Sequence, residues 1–283
     1  MSNEQPFKRV WLITGAARGL GAQIAGAALA DGNAVIAAGR NTAAIVERFG
    51  DNPAVLPVKL DVTDEAQARA AAQAGLARFG RIDVLVNNAG FGLLGAVEES
   101  SDAEARRMYD TNVFGLLNVT RAVLPAMRAR RSGHVINVSS IGGFRASAGF
   151  GVYCSTKFAV EGLTEALHAE LAPLGIHATV IEPGYFRTEF LDASSLVVSP
   201  NVIADYAATS GATRERAAGL NRQQPGDPAK LAAALVTLVD SNEPPLRLPL
   251  GKDTLDAIAR KLAFVATETD AWKALASSTG FAG

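Results

Sequence analysis

Tyr153 and Lys157 stand four residues apart at the head of a helical pattern that runs from Tyr153-Cys154-Ser155-Thr156-Lys157 to about Ala172. Positions four apart lie one turn apart on the same helix face, so the phenol and the ammonium project to one side. A cation beside a phenol favours the phenolate and lowers its pKa from about 10. Such a tyrosine can give or take a proton near neutral pH. Ser139-Ser140 closes the strand-like run Gly133-His134-Val135-Ile136-Asn137-Val138, which places a hydroxyl where it can meet Tyr153. The chemistry is proton transfer to an oxygen. A Tyr-x-x-x-Lys pair also occurs on ordinary solvated helix faces, so the flanking elements decide between the two.

Those elements alternate strand and helix. Lys8-Arg9-Val10-Trp11-Leu12-Ile13 reads as a buried strand that runs into Thr14-Gly15-Ala16-Ala17-Arg18-Gly19-Leu20-Gly21 and then an Ala-rich helix to Asp31-Gly32. Strand, glycine loop and helix form the setting in which backbone N–H groups bind a pyrophosphate. The next strand, Ala34–Ala38, ends at Gly39-Arg40, where an NAD site usually carries an acid. Two guanidiniums, Arg18 and Arg40, with no carboxylate favour a 2′-phosphate, hence NADP(H), with NAD(H) as the alternative.

Further on, strands are expected at 54–60 and 83–86, the second closed by Asn87-Asn88-Ala89-Gly90. These small and amide residues either leave room for a cofactor or simply form a turn. Thr63-Asp64-Glu65 carries cap chemistry for a helix to about Phe79. A helix from about Asp102 to Arg130 holds Asn112 in its middle, an unfavourable place for asparagine unless it has a task. The strand His177–Glu182 ends at Pro183-Gly184, and Leu246–Leu250 reads as a final edge strand.

From Tyr185 to about Gln224 the alternation lapses into Ser, Thr and Asn mixed with Leu191, Leu196, Val197, Val198, Ile203 and Tyr206. An insertion beyond a strand's C-terminal end is where an open α/β sheet carries substrate loops. Its apolar content predicts a lid over a hydrophobic substrate. The tail, about 251–283, has helical spacing of apolar residues and is expected to cover the cleft or pack on a partner subunit.

Composition sets the outer bounds. The chain has 283 residues, 48% of them hydrophobic and 19% charged, with a formal net charge of −1. One domain with an insertion fits that length, and the charge gives no case for nucleic acid or a membrane surface. No apolar run is long enough to span a bilayer. The start, Met1–Pro6, lacks a signal peptide's pattern, and the one cysteine, Cys154, forbids an internal disulfide. A cytoplasmic protein is expected. His134, His168 and His177 are scattered without metal-ligand spacing, so no metal is expected.

Taken together, Thr14-Gly15-x-x-x-Gly19-x-Gly21, Asn87-Asn88-Ala89-Gly90, Asn112, Ser140, Tyr153-x-x-x-Lys157 and Pro183-Gly184 resemble the short-chain dehydrogenase/reductase family over roughly Lys8 to Leu250. Ser140 precedes Tyr153 by the family's usual interval. Gly92-Leu93-Leu94-Gly95 and Pro183–Thr188 resemble the branch loosely called 17β-hydroxysteroid-dehydrogenase-like. The resemblance implies a three-layer, Rossmann-type, doubly wound α/β fold with a mostly parallel seven-stranded sheet and helices on both faces. It implies that Ser140 bonds the substrate oxygen, that Tyr153 moves its proton, and that Lys157 lowers the tyrosine pKa and bonds the nicotinamide ribose. Asn112 would hold a water that links Lys157 to solvent. Asp61 and Val62 would contact the adenine, and Asn88, Ala89 and Gly90 would line the cofactor. Pro183, Gly184 and Thr188 would lie at the nicotinamide end, with Thr188 on the carboxamide. The implied activity is hydride transfer between NADP(H) and a small-molecule secondary alcohol, ketone or aldehyde, in a homo-oligomer, dimer or tetramer. A non-catalytic NADP(H)-binding sensor or scaffold would be marked by a damaged Ser–Tyr–Lys set, and all four active-site positions are intact.

Overall fold

The structure is a computed structural model that describes residues 7–281; the start read above for a leader, Met1–Pro6, lies outside them. Seven strands form one sheet: β1 (Val10–Thr14), β2 (Ala34–Gly39), β3 (Val55–Lys59), β4 (Val84–Asn87), β6 (Gly133–Val138), β7 (Ile176–Pro183) and β9 (Arg247–Leu250). Their order is β3-β2-β1-β4-β6-β7-β9, and every neighbouring pair is parallel. The expected mostly parallel sheet is thus parallel throughout.

Every residue of β1 and β2 is buried, because a parallel sheet is covered on both faces and its strands read as unbroken apolar runs. Alternate residues divide between the two faces. Val10, Leu12 and Ile36 pack with Ala71, Val119 and Val123 from α3 (Glu65–Phe79) and α5 (Leu116–Arg130). Trp11, Ile13 and Val35 pack with Ile24, Leu231 and Leu235 from α1 (Gly19–Ala30) and α9 (Pro228–Asp240). Each large apolar side chain fully buried this way contributes about 1.5–3 kcal/mol. Asp64 caps α3 as its sequence predicts, accepting from Ala66 N and Gln67 N.

Two expectations need correction. The helix expected at 102–130 is interrupted: α4 (Asp102–Tyr109) passes through a π turn at Asp110–Gly115 before α5 begins. A π turn inserts a residue into the helical ladder and turns side chains to a new angle. Asn112 lies within it. The 185–224 stretch is also more ordered than a lapse in rhythm suggests. Gly92–Leu94 (β5) and Leu196–Val198 (β8) form a separate two-stranded parallel sheet, and a helix (α8, Ala212–Leu220) follows. Three-residue strands leave no readable alternation in the sequence.

Glu99, buried at the turn after β5, ties the insertion down. Its carboxylate accepts from Ala96 N at 2.6 Å and Ile203 N at 2.9 Å and pairs with Arg214 of α8. The tail does two things. The first turns of α10 (Lys252–Ser277) pack on the body through buried Thr254 and Ala257, whereas the helix from Leu262 onward stands exposed, Trp272 and Leu275 included. No helix among the described residues is long and apolar enough to cross a membrane.

Candidate active site

The chain reverses its winding between β1 and β4, and ligands of such sheets bind in the crevice beyond the strand ends at that point. Thr14 and Asn88 fasten the two strand ends together. Thr14 Oγ1 accepts from Asn88 N and Ala89 N, both at 2.9 Å, and Asn88 Nδ2 donates to Thr14 O at 2.9 Å. The glycine loop closes on itself so tightly that a Cβ at Gly21 would come 2.4 Å from Gly15 O and 2.5 Å from Asn88 Nδ2. Gly15, with φ +67°, makes the turn. The loop therefore delivers the N-terminus of α1, with its free N–H groups, into a cavity of about 1220 Å³.

That cavity is lined by nearly every position singled out in the sequence: Thr14, Gly15, Arg18, Gly19, Leu20, Arg40, Asp61, Val62, Asn88, Ala89, Gly90, Ser140, Tyr153, Lys157, Pro183, Gly184 and Thr188. Gly21 lies under the loop rather than on the cavity wall, and Asn112 is buried behind Gly90. A nicotinamide dinucleotide fits this lining. The glycine loop brings a helix N-terminus to the cavity, an exposed cation stands at the end of β2, and a Ser–Tyr–Lys group lies at the other end.

Arg18 and Arg40 differ in what they do. Arg18 Nη2 donates to the carbonyl of Ser194 at 2.6 Å, which links the glycine loop to the insertion. Arg18 thus lines the cavity while one of its donors is engaged by the 185–224 insertion. Arg40 has no hydrogen-bond or ionic partner among the described residues.

At the chemical end, α7 (Gly151–Leu171) carries Tyr153 and Lys157, both only 7% exposed. Lys157 Nζ donates to Val138 O at 2.8 Å and lies 5.8 Å from the centre of the Tyr153 ring. Phe150 and Phe190 flank that ring at centroid distances of 6.0 and 5.7 Å. Ser140 caps the short helix α6 (Ile141–Phe144), its Oγ accepting from Gly142 N at 3.0 Å. Asn112 Oδ1 accepts from Phe91 N at 3.1 Å, while its Nδ2 donates to Phe91 O at 3.0 Å and Thr156 Oγ1 at 3.2 Å. The π turn thereby pins the loop after β4 to α7, behind Lys157.

Burial decides the proton affinities. It pushes the Tyr153 hydroxyl above its ordinary value, with Ser140 pulling the other way and the Cys154 thiol and Tyr185 adding to the rise. The expected depression by Lys157 is not among the influences on this phenol, and desolvation of the phenolate sets the direction. Lys157 itself is lowered to about 8 by burial, opposed by the charge of Glu161 one turn on. Tyr153 is thus a neutral phenol at pH 7, beside a lysine that is mostly charged.

Behind this group lies a feature the sequence did not reveal. Glu161 of α7 and Glu182 of β7, 0% exposed, face Arg247, whose Nε is 3.3 Å from Glu161 Oε2 and 3.7 Å from Glu182 Oε1. Burial raises both carboxyls, and the charge of Glu161 helps push Glu182 up to about 7. An acid raised above its unfolded value gives stability that is full below about pH 4.5 and lost as the pH rises through about 7. Glu182→Gln is expected to flatten that decline and to stabilise the protein at pH 8 by on the order of 1–2 kcal/mol, less than the full shift because Arg247 screens the pair. Thermal melts at pH 5 and pH 8 check this; an equal loss of stability at both would contradict it.

Comparison with known proteins agrees with this geometry. The short chain dehydrogenase family model matches residues 9–196. Oxidoreductase BOA17 of Botryotinia fuckeliana is 38% identical over 270 residues, covering 94% of this chain and 97% of its own. A 3-ketodihydrosphingosine reductase of Bacteroides thetaiotaomicron is 36% identical over 243 residues, 86% of this chain and 88% of its own. A short-chain dehydrogenase from Streptomyces avermitilis superposes with a TM-score of 0.88 at 42% identity, over 96% of this chain and 100% of that one. More distant structures hold either cofactor. A gluconate 5-dehydrogenase from Burkholderia cenocepacia is in complex with NADP and tartrate (31% identity, TM-score 0.73, 88% and 96% covered). A 3-ketoacyl-(acyl-carrier-protein) reductase from Brucella melitensis is complexed with NADH (27% identity, TM-score 0.71, 86% and 97% covered). With sequence, fold and site in accord over most of its length, this chain belongs to the short-chain dehydrogenase family and is an oxidoreductase with a nucleotide-binding Rossmann fold.

Proposed function

We propose that the protein is an NADP(H)-dependent carbonyl reductase or alcohol dehydrogenase, built as one domain with a substrate insertion at about 185–224 and a C-terminal helix. The observation that carries this reading is the meeting of Ser140, Tyr153 and Lys157 at one end of the cavity that the glycine loop enters at the other. When bound, the nicotinamide supplies or takes the hydride. Ser140 holds the substrate oxygen, and Tyr153 donates its hydroxyl proton to that oxygen in reduction or takes it in oxidation. Lys157, charged at pH 7, offsets the charge left on the phenol and bonds the ribose. Asn112 keeps the Phe91 loop and α7 in register and holds the water that feeds Lys157.

A phenol that is neutral at pH 7 is the form that donates a proton in reduction. Phe150, Phe190, Leu191 and Val197 give the chemical end an apolar wall, which suits a hydrophobic ketone, aldehyde or secondary alcohol. A relative named for 3-ketodihydrosphingosine supports ketone reduction. The stretches at Gly92–Gly95 and Pro183–Thr188 support the 17β-hydroxysteroid-dehydrogenase-like branch as a grouping, with no steroid implied. Consumption of NADPH with a panel of apolar ketones and aldehydes tests the reading; tight NADPH binding without turnover of any would sink it.

Cofactor choice rests on Arg40, the free cation at the end of β2. Arg40→Ala is expected to weaken NADPH binding about tenfold or more, the worth of one charge-assisted contact, while NADH binding moves less than about twofold. Fluorescence titration of both cofactors checks it. Equal losses, or tighter NADH than NADPH in the unaltered protein, would reject the preference.

A further inference from the structure

Beyond Tyr185 the cavity changes character. Arg145 follows α6, Arg216 sits on α8, and Arg260 sits on α10, and all three line the same cavity as Tyr153. On α10 the lining residues are Asp253, Asp256, Ala257 and Arg260, spaced along one helix face that runs from buried Ala257 to exposed Arg260. α6, which Arg145 follows, packs against α10, which carries Arg260. Arg216 stands beside Tyr185: burial raises that phenol and the Arg216 charge opposes the rise. Tyr185 N in turn donates to Asp253 of α10 at 2.8 Å.

The carboxylates on the cavity wall are engaged. Asp61 accepts from Thr63 N and Oγ1, Glu189 lies 3.8 Å from Arg222, Asp253 accepts from Tyr185 N, and Asp256 pairs with Lys252 at 2.7 Å, one turn from Arg260. The guanidiniums of Arg145, Arg216 and Arg260 have no hydrogen-bond or salt-bridge partner among the described residues. Three elements thus bring exposed, always-charged fork donors to the wall of the cavity that also holds Tyr153.

Resting on the reductase reading, we propose that the substrate carries an anionic oxygen group, carboxylate or phosphate, at the end of an apolar body remote from its carbonyl. The carbonyl meets Ser140 and Tyr153, the body lies against the apolar wall, and the anion docks on Arg145, Arg216 and Arg260. This refines the expectation of a simply apolar substrate: Asp253 and Asp256 set two carboxylates against three guanidiniums on this part of the wall, so a purely hydrophobic ligand would leave an excess of positive charge there.

The test measures kcat/KM with NADPH for a chain-length series of oxo-fatty acids, their methyl esters and matched phosphate monoesters of keto alcohols. At the best length the anion is expected to exceed its ester by roughly tenfold or more, a ratio that falls as salt rises. Arg216→Ala and Arg145→Ala are each expected to cut the ratio by about tenfold, and Arg216→Lys, which keeps the charge, should retain much of it. The acid and phosphate arms show which anion the site prefers. Esters reduced as well as both anions at every length, or ratios untouched in all three variants, would overturn the proposal while leaving the reductase reading intact. NADPH binding without reduction of any compound would take both down together.

Discussion

Tyr153→Phe is expected to lower the rate of carbonyl reduction by about a hundredfold to ten-thousandfold, the range that a positioned proton donor supplies. The substitution removes one hydroxyl and little else. The ring is packed between Phe150 and Phe190, and phenylalanine keeps both contacts. The glycine loop and Arg40 lie at the other end of the cavity, so NADPH binding should change by less than about threefold, well under one kcal/mol. Stopped-flow reduction and cofactor titration on the same sample separate the two effects. A variant that retains near-normal turnover would remove Tyr153 from the chemistry.

Lys157→Met is expected to cost about a hundredfold or more in turnover, comparable to loss of one preorganised electrostatic partner in a water-poor site. Its pH dependence is the sharper signature. Lys157 is lowered to about 8 by burial, so the reduction rate of the unaltered enzyme should decline as the pH rises through about 8 and the ammonium is lost. The methionine variant should be slow and should lack that limb. Stability should move in the opposite sense. A lysine whose folded pKa lies below its unfolded value of about 10.5 penalises the folded state below pH 8, and the penalty fades as the pH rises toward 10.5. The variant should therefore melt higher at pH 7 than at pH 10 relative to the unaltered protein, with part of the gain offset because Val138 O loses its donor. A variant less stable at every pH would mean that the lysine serves packing more than charge.

Much of this site could be read from the chain because its chemistry is local. Tyr153 and Lys157 share one helix face, Gly15, Gly19 and Gly21 share one loop, and unbroken apolar strands such as β1 and β2 announce a sheet covered on both faces. What escaped is set by contacts between distant segments. Glu161 and Glu182 belong to different elements and become a buried pair only when α7 lies on β7 beside Arg247. Arg18 sits where a phosphate ligand belongs, yet its partner is the carbonyl of Ser194 in the insertion. The β5–β8 pair is too short to show a period, and the π turn around Asn112 differs from an ordinary helix by one inserted residue. The raised Tyr153 pKa has the same origin: spacing shows a neighbouring cation, whereas burial depends on the whole fold.

The central claim is direct hydride transfer to a substrate carbon with proton delivery from Tyr153. The measurement that bears on it most directly follows deuterium from NADPH labelled at the transferring position, using whichever carbonyl compound is reduced. The account predicts that the label appears on the new carbinol carbon, from one face of the nicotinamide only, and that Tyr153→Phe slows its appearance by at least about a hundredfold. Product without the label on carbon, or equal labelling in the Tyr153→Phe protein, would contradict it.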